Sequence, residues 1–573
     1  MKILSHIAGS FILALGICLF AVACSSQEQK PNVLFIMMDD FGYGQFGVNN
    51  DALETSDFDP FYVYLVDSLE GYSPEKALEF TKLAVPTISG LAGEGILFSR
   101  AHTTSNMCAP SRFGIATGMM QTKFGIYGNG HVQPLGIKPG MHLAENLQAR
   151  GYSTGHIGKW HIGAKDNSLA DPVLEKHGLA GKRSYRYLRD NYYEVYMELE
   201  KTGYRGSVIK DNHPLNNGFD YYYGYNNFAS EFYNSYLVWE NYEHAGKQEG
   251  YNTDVFTNKA IDFMDRQISD KKPFYLQLHF HAVHDSLEPI APAKYLDRFD
   301  AKYLQLNNFY AHVYGVDQNI GRMVDFLKSK KQYENTMIVF TSDNGAMSMG
   351  AYDGIKRGSP LPANAPFKGH KGTFFQGGFR VPMFIHYPDG IKQWGVSHQI
   401  VSTMDIIPTA IDVTGGTVPE GIDGRSLKPL FYDPDAKAIH DHLTWSGPHF
   451  YAQGYMIKKT NRTHYTAGGT SMASWVVIRG NYLLRFTGTM VHGVYLDYLE
   501  GREPLLELFN VAEDPGEKIN IADQYPGIVA EMAEIFFEES VDFLPPPGGE
   551  TNTWEEAMNS RDFVLKKVEE YKE

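Results

Sequence analysis

Cysteine is nearly missing from this chain. Its 573 residues hold only Cys18, Cys24 and Cys108. The first two fall within the first 24 residues, so the rest of the chain carries one thiol and no disulfide framework. Such a lone cysteine is either a buried residue kept by chance or one kept for its chemistry. An excess of cations is missing too: 51 Lys plus Arg face 67 Asp plus Glu, a formal net charge of -16. With no basic run, phosphate neutralisation cannot drive binding, which excludes nucleic acid as the partner. An anionic substrate would have to be drawn by cations and metal gathered in a cleft, against the field of the whole molecule. Internal repeats and Cys/His clusters with zinc spacing are absent as well.

The first residues read as an export signal: Met1-Lys2, a mainly apolar stretch from Ile3 to Val22, then Ala23-Cys24-Ser25-Ser26. The stretch is about long enough to span a bilayer, so a transmembrane anchor is the competing reading. Small residues running into a cysteine and a polar Ser-Ser-Gln-Glu-Gln linker favour a bacterial lipoprotein signal. The segment resembles a lipobox, with Ala21 where Leu is usual. That resemblance implies lipidation at Cys24 and a place in the periplasm or outer membrane of a Gram-negative bacterium, touching the membrane only through the lipid.

The chain exceeds the roughly 250–300 residues at which a single core stops growing. A signal at 1–23 and a linker at 24–30 are expected to precede a large domain at 31–436 and a smaller one at 437–573. The first apolar run is Asn32 to Met38, bounded by Pro31 and Asp39-Asp40. Similar runs recur at Phe274 to Phe280, Met337 to Phe340 and Pro382 to Ile385. Runs of this kind fit parallel strands buried on both faces. Between them, Asp254 to Ile268 and Asn307 to Leu327 carry apolar residues at helical spacing. The alternation predicts an α/β fold, a large mostly parallel sheet sandwiched by helices. After about Lys437, the shorter runs Trp475 to Ile478 and Tyr482 to Phe486 predict a C-terminal α+β subdomain on an antiparallel sheet. Two aromatic stretches, Val48 to Ala84 and Tyr185 to Tyr204, read equally as cleft linings or as covers for the core.

Ligands of open α/β sheets bind beyond the carboxyl ends of the strands. Asp39-Asp40, His281 with His284, and Asp343-Asn344 each follow an apolar run, so they are expected at one sheet edge. The carboxylates of Asp39, Asp40 and Asp343 with the amide of Asn344 suit a hard divalent cation that prefers oxygen ligands.

The most specific local signal is Cys108-Ala-Pro-Ser-Arg112, followed by Thr117-Gly118. It resembles the C-x-P-S-R signature of type I sulfatases, members of the alkaline phosphatase superfamily. Other blocks match that family in order. They are Pro31 to Asp40, Gly158-Lys159-Trp160-His161, His281-Ala-Val-His284, Thr341-Ser-Asp-Asn-Gly345, Gly369-His-Lys371, Gly377-Gly378-Phe-Arg380, and Glu507-Leu-Phe-Asn-Val with Asp514-Pro515. The resemblance spans residues 31 to about 525 and resembles bacterial glycan sulfatases in particular. It implies that a formylglycine-generating enzyme, a transient partner, converts Cys108 to formylglycine. It further implies calcium held by Asp39, Asp40, Asp343 and Asn344 and contacting residue 108. Lys159 and Lys371 would bind sulfate oxygens, and Arg112 would orient residue 108. His161 would act as the base that expels sulfate, and His284 as the acid for the leaving alcohol, with Lys371 sharing that role. The implied substrate is a sulfated carbohydrate.

Two departures stand out. Gln376 replaces the usual Glu before Gly-Gly, and Val283 replaces the Pro often found before the last histidine. Two rivals remain at this level: a formylglycine-dependent phosphonate or phosphodiester hydrolase, and a glycan-binding lipoprotein that kept the fold without the chemistry. The intact set of Cys108, Arg112, Lys159, His161, His284 and Lys371 weighs against the second.

Overall fold

The computed structural model describes residues 30–450, 471–488 and 503–573, apart from short stretches within 51–70, 286–289, 348–358, 434–435 and 549–551. The export signal and Cys24 lie outside the described residues, as does part of the Val48 to Ala84 stretch. Among the described residues no helix is long and apolar enough to cross a membrane.

Ten strands form the main sheet. They are β1 (Asn32–Met38), β2 (Ile96–Phe98), β3 (Ser153–Lys159), β4 (Tyr221–Tyr225), β5 (Trp239–Glu240), β6 (Glu243–His244), β7 (Phe274–His279), β8 (Thr336–Ser342), β9 (Met383–His386) and β10 (Gly395–Ser397). Their order is β10-β2-β9-β8-β1-β7-β3-β4-β5-β6. The central five, β8-β1-β7-β3-β4, are parallel. β9 and β5 flank them in the antiparallel sense.

Helices α1 (Pro74–Ala84), α2 (Pro86–Gly93), α3 (Cys108–Thr117), α4 (Ala144–Ala149), α5 (Asn252–Ser269), α6 (Leu304–Ser329) and α7 (Ile406–Val413) cover the two faces. Successive side chains of a strand point to opposite faces. Leu34, Ile36 and Met38 of β1 therefore share a core with Phe256 and Phe263 of α5 and Val313 and Ile320 of α6. Val33, Phe35 and Met37 share the other core with Phe113 of α3, Leu147 of α4 and Ile407 of α7. Burial on both faces is why β1 is apolar from Val33 to Met38, each such side chain contributing about 1.5–3 kcal/mol.

The C-terminal sheet is antiparallel, β11 (His442–Phe450), β12 (Ser471–Arg479), β13 (Tyr482–Thr487) and β14 (Leu505–Asn510), in that order. Trp475, Val477, Leu484 and Phe486 face Phe536 and Val564 of two helices, α8 (Pro526–Glu539) and α9 (Arg561–Lys572). The alternate residues Val476, Ile478 and Leu483 meet Met120, Phe374, Phe379 and Met404 of the large domain. This sheet is thus wedged between its own helices and large-domain segments that include the one following Lys371.

Candidate active site

Parallel strands end together at one edge, and four of them deliver the polar residues there. β1 stops at Asp39 and Asp40, which are 0% and 1% exposed. β3 ends on Lys159, also fully buried. The strand after α5, β7, runs into His281 and His284, and β8 into Asp343 and Asn344. Asp40 and His161 both sit at φ 60°, the left-handed region that non-glycine residues enter at a cost of order 1–3 kcal/mol. Both lie where a strand turns into the site. Gly158 is demanded by space: a Cβ there would meet the His279 carbonyl oxygen at 1.9 Å, and its φ is 101°.

Cys108 opens α3, every residue of which is buried. The helix stops at Gly118, left-handed at φ 66°, whose N–H donates to the Gly114 carbonyl at 2.9 Å. Its N-terminal amides bring partial positive charge to residue 108, and the Ala109 N–H donates to Asn129 Oδ1 at 3.0 Å. The Cys108 sulfur lies 3.9 Å from Asp40 Oδ1. Burial pushes its thiol up to about 12, against the opposing pull of Lys159 and Lys371.

One turn on, Arg112 points into the same site. Its Nε donates to Asp343 Oδ2 at 2.9 Å and one Nη to the Lys159 carbonyl at 2.9 Å. The other Nη lies 2.8 Å from Asp343 Oδ2. Lys159 Nζ donates to Asp39 Oδ2 at 2.6 Å. Lys371 Nζ reaches both oxygens of Asp40, at 2.7 and 2.9 Å. Burial alone would raise Asp39, but Lys159, His284 and Arg112 hold it well below the usual carboxylate range. Burial alone would lower Lys371, but the charges of Asp40, Cys108, Asp39 and Asp343 together outweigh it and raise the ammonium.

His284 Nε2 is 3.7 Å from Asp40 Oδ2, while its Nδ1 is 2.5 Å from the Asp285 carbonyl, which assigns the Nδ1 proton to that bond. Burial lowers it to about 4. His161 is 3% exposed, and its Nδ1 has no hydrogen-bond partner. Burial first, then the charges of Lys159 and Arg112, lower it well below the usual imidazole value. The peptide between Ala282 and Val283 is cis, and it leads directly into His284.

Asp39, Asp40, Cys108 and His284 each offer a ligand atom within 4.8 Å of the others. Asp343 and Asn344 join them, since the Asp40 N–H donates to Asp343 Oδ1 at 3.2 Å and Asn344 Nδ2 to Asp40 Oδ1 at 2.8 Å. Two buried oxygens here, Asp39 Oδ1 and Asn344 Oδ1, accept no hydrogen bond. Orphaned buried acceptors are costly, and a cation among them satisfies both. The donor set, carboxylates and an amide oxygen, fits a hard divalent ion. The charges agree: three carboxylates (Asp39, Asp40, Asp343) balance three cations (Arg112, Lys159, Lys371). A dication therefore leaves the site positive and able to attract an anion in a protein whose overall charge repels one.

Sequence reasoning passed over several neighbours. His279, given no role, lies 3.4 Å from an Arg112 nitrogen. Asn129 caps the first turn of the Cys108 helix, and no motif marks it. Phe228 is 46% exposed with its ring centroid 6.4 Å from that of His284. Gln376 still bridges: it accepts from Arg380 at 2.8 Å and donates to the Pro515 carbonyl at 3.2 Å.

Comparison with known proteins agrees with this geometry. The sulfatase family profile matches residues 31–416, and the C-terminal profile of N-sulphoglucosamine sulphohydrolase matches 370–470. A sulfatase of Escherichia coli (strain K12), YdeN, described as uncharacterized, is 30% identical over 92% of this chain and 88% of its own. An N-acetylgalactosamine-6-sulfatase of Sus scrofa is 27% identical over 86% of this chain and 82% of its own. The crystal structure of Ps i-CgsB in complex with k-i-k-neocarrahexaose shares the fold, with TM-score 0.63 and 21% identity over 94% of this chain and all of that one. A lone cysteine at a helix N-terminus, set among buried cations and carboxylates at the edge of a parallel sheet, defines a hydrolase of anionic esters. The chain belongs to the sulfatase family and is a sulfuric ester hydrolase.

Proposed function

We propose that this protein removes sulfate from an O-sulfated carbohydrate, using formylglycine made from Cys108 and one calcium ion. The observation that carries the reading is the surroundings of residue 108. It stands at a helix N-terminus beside Asp40, among three buried cations and two unsatisfied oxygens.

Asp39, Asp40, Asp343 and Asn344 would hold the ion, which supplies charge neutralisation for the sulfate oxygens. Lys159 and Lys371 bind those oxygens as well, and Arg112 keeps residue 108 and Asp343 in place. Formylglycine at residue 108 would supply, as its hydrate, a geminal diol to act as the nucleophile. His284 Nε2 gives a proton to the departing alcohol oxygen, with Lys371 sharing the task, and a bound sulfate monoester favours the protonated imidazole there. His161, uncharged and with Nδ1 free, takes the proton of the second hydroxyl so that sulfate leaves and the aldehyde returns. Export to the periplasm or outer membrane with a lipid on Cys24 belongs to the same proposal. It suits a polymeric sugar met outside the cell.

The test is a substrate panel on protein co-expressed with a formylglycine-generating enzyme: an aryl sulfate, sulfated saccharides and an aryl phosphodiester. Sulfate release from the first two and little turnover of the third support the reading. A preference for the phosphodiester overturns it.

A further inference from the structure

A second cleft of about 340 Å³ opens beside the catalytic edge, lined by Asp166, Ser207, Lys210, Trp239 and Tyr242 among others. Its position follows from strand register. Trp239 of β5 stands opposite Gly224 of β4, which stands opposite Gly158 of β3, the residue before Lys159. Two strand spacings of roughly 4.8 Å put the Trp239 backbone about 10 Å from that of Gly158. On the other wall, Asp166 follows His161 by five residues, so the two are at most about 17 Å apart.

Its chemistry differs from that of the catalytic site. Tyr242 is 47% exposed and Trp239 partly so, which leaves ring surface for a ligand. Both rings are held: the Trp239 indole donates to the Gly203 carbonyl at 3.1 Å and the Tyr242 hydroxyl to Asn216 at 2.9 Å. Rigid aromatic faces beside carboxylate and hydroxyl groups suit a sugar ring, which has apolar C–H faces and hydroxyls around its rim. The ammonium of Lys210, exposed on the rim, makes no hydrogen bond or ion pair among the described residues. An uncommitted ammonium group on the rim of a sugar-shaped cleft suits a saccharide that carries a further anionic group.

We infer that the Trp239–Tyr242 cleft is a second carbohydrate subsite, which holds an anionic sugar unit of the same chain a few units away from the sulfate ester being cut. The inference rests on the proposed carbohydrate sulfatase activity. It makes this enzyme a reader of oligosaccharides rather than of monosaccharides alone.

The test compares a length series of sulfated oligosaccharides with a small aryl sulfate. For the wild type, kcat/KM should rise with saccharide length and then level off. Trp239→Ala should remove at least tenfold of that gain, and Tyr242→Ala and Lys210→Gln part of it. Aryl sulfate turnover should stay within twofold in all three. The two exposed positions keep the test sharp if Trp239→Ala fails to fold. Titration of a sulfated tetrasaccharide into protein with unconverted Cys108 reads the cleft without turnover. Weaker binding by Tyr242→Ala and Lys210→Gln supports the subsite, while unchanged binding and an unchanged length gain overturn it. Loss of aryl sulfate turnover in the wild type would instead strike at the sulfatase reading. A neutral tetrasaccharide that binds as well as the sulfated one would overturn the role of Lys210.

Discussion

Two buried charge clusters lie close in this molecule, and they are built to different ends. At the catalytic edge, Asp39, Asp40 and Asp343 meet Arg112, Lys159 and Lys371. Where the C-terminal sheet meets the large domain, Arg485 of β13 pairs with Glu507 and Glu517. Glu517 also accepts the Gln376 N–H at 2.7 Å, five residues along from Lys371. The second cluster is closed: none of the side-chain nitrogens or oxygens of Arg485, Glu507, Glu517, Gln376 and Arg380 is a buried atom without a partner. The first leaves Asp39 Oδ1, Asn344 Oδ1 and His161 Nδ1 open. A closed network specifies structure, and an open one has room for a ligand. What separates a working charge cluster from a structural one here is therefore the unsatisfied atom rather than the buried charge.

The sharpest way to break this contrast is Arg485→Ala. It strands two carboxylates, one of them fully buried, and should cost about 3–5 kcal/mol of stability. Urea unfolding would register this, while kcat of the surviving folded enzyme stays close to wild type. Lys371→Ala should do the reverse. Loss of a cation aimed at transition-state charge lowers kcat about 10²–10³-fold on an aryl sulfate, with a much smaller change in melting temperature. If the two variants behaved alike, the distinction between the clusters would fall.

Calcium sharpens it further. An ion that binds only the folded protein stabilises it by about 2.7 kcal/mol at a hundred times its dissociation constant. Melting temperature should rise with calcium in the wild type and rise little in Asp343→Asn, whatever the state of residue 108. The smallest effect belongs to the C-terminal subdomain, where His442 Nε2 is 2.7 Å from Glu539 Oε1. That bond to Glu539, working against burial, raises His442 above its usual value. Its contribution is full below about pH 6.5 and is lost as pH rises through the raised value. Melting curves taken across neutral pH should slope downward in the wild type and flatten in His442→Gln.

Much of this was legible in the residues. The apolar runs before Asp39, His281 and Asp343 are buried on both faces, so their sequence has no periodicity to hide behind and they read as parallel strands. The short apolar runs Trp475 to Ile478 and Tyr482 to Phe486 likewise pointed to the second sheet, whose two faces are both buried, against different partners. Cys108-Ala-Pro-Ser-Arg112 stood out because so few cysteines compete with it. Other features were not legible. Strands β5 and β6 have two residues each, too short for any period, so the Trp239 cleft had no signal. The Gln376–Glu517 contact joins residues 141 apart, and only folding brings them together. Gln376 itself reads as a departure in sequence. In the structure it bridges Arg380 and Pro515, while its backbone N–H is held by Glu517.

The central claim is that Cys108 works as formylglycine. Peptide mass spectrometry of the segment around residue 108, from protein matured beside a formylglycine-generating enzyme, tests it most directly when paired with turnover of an aryl sulfate. The account predicts exchange of the thiol for an aldehyde and sulfate release in proportion to the fraction converted. Full activity from a chain whose Cys108 remains a thiol would contradict it, as would complete conversion with no turnover.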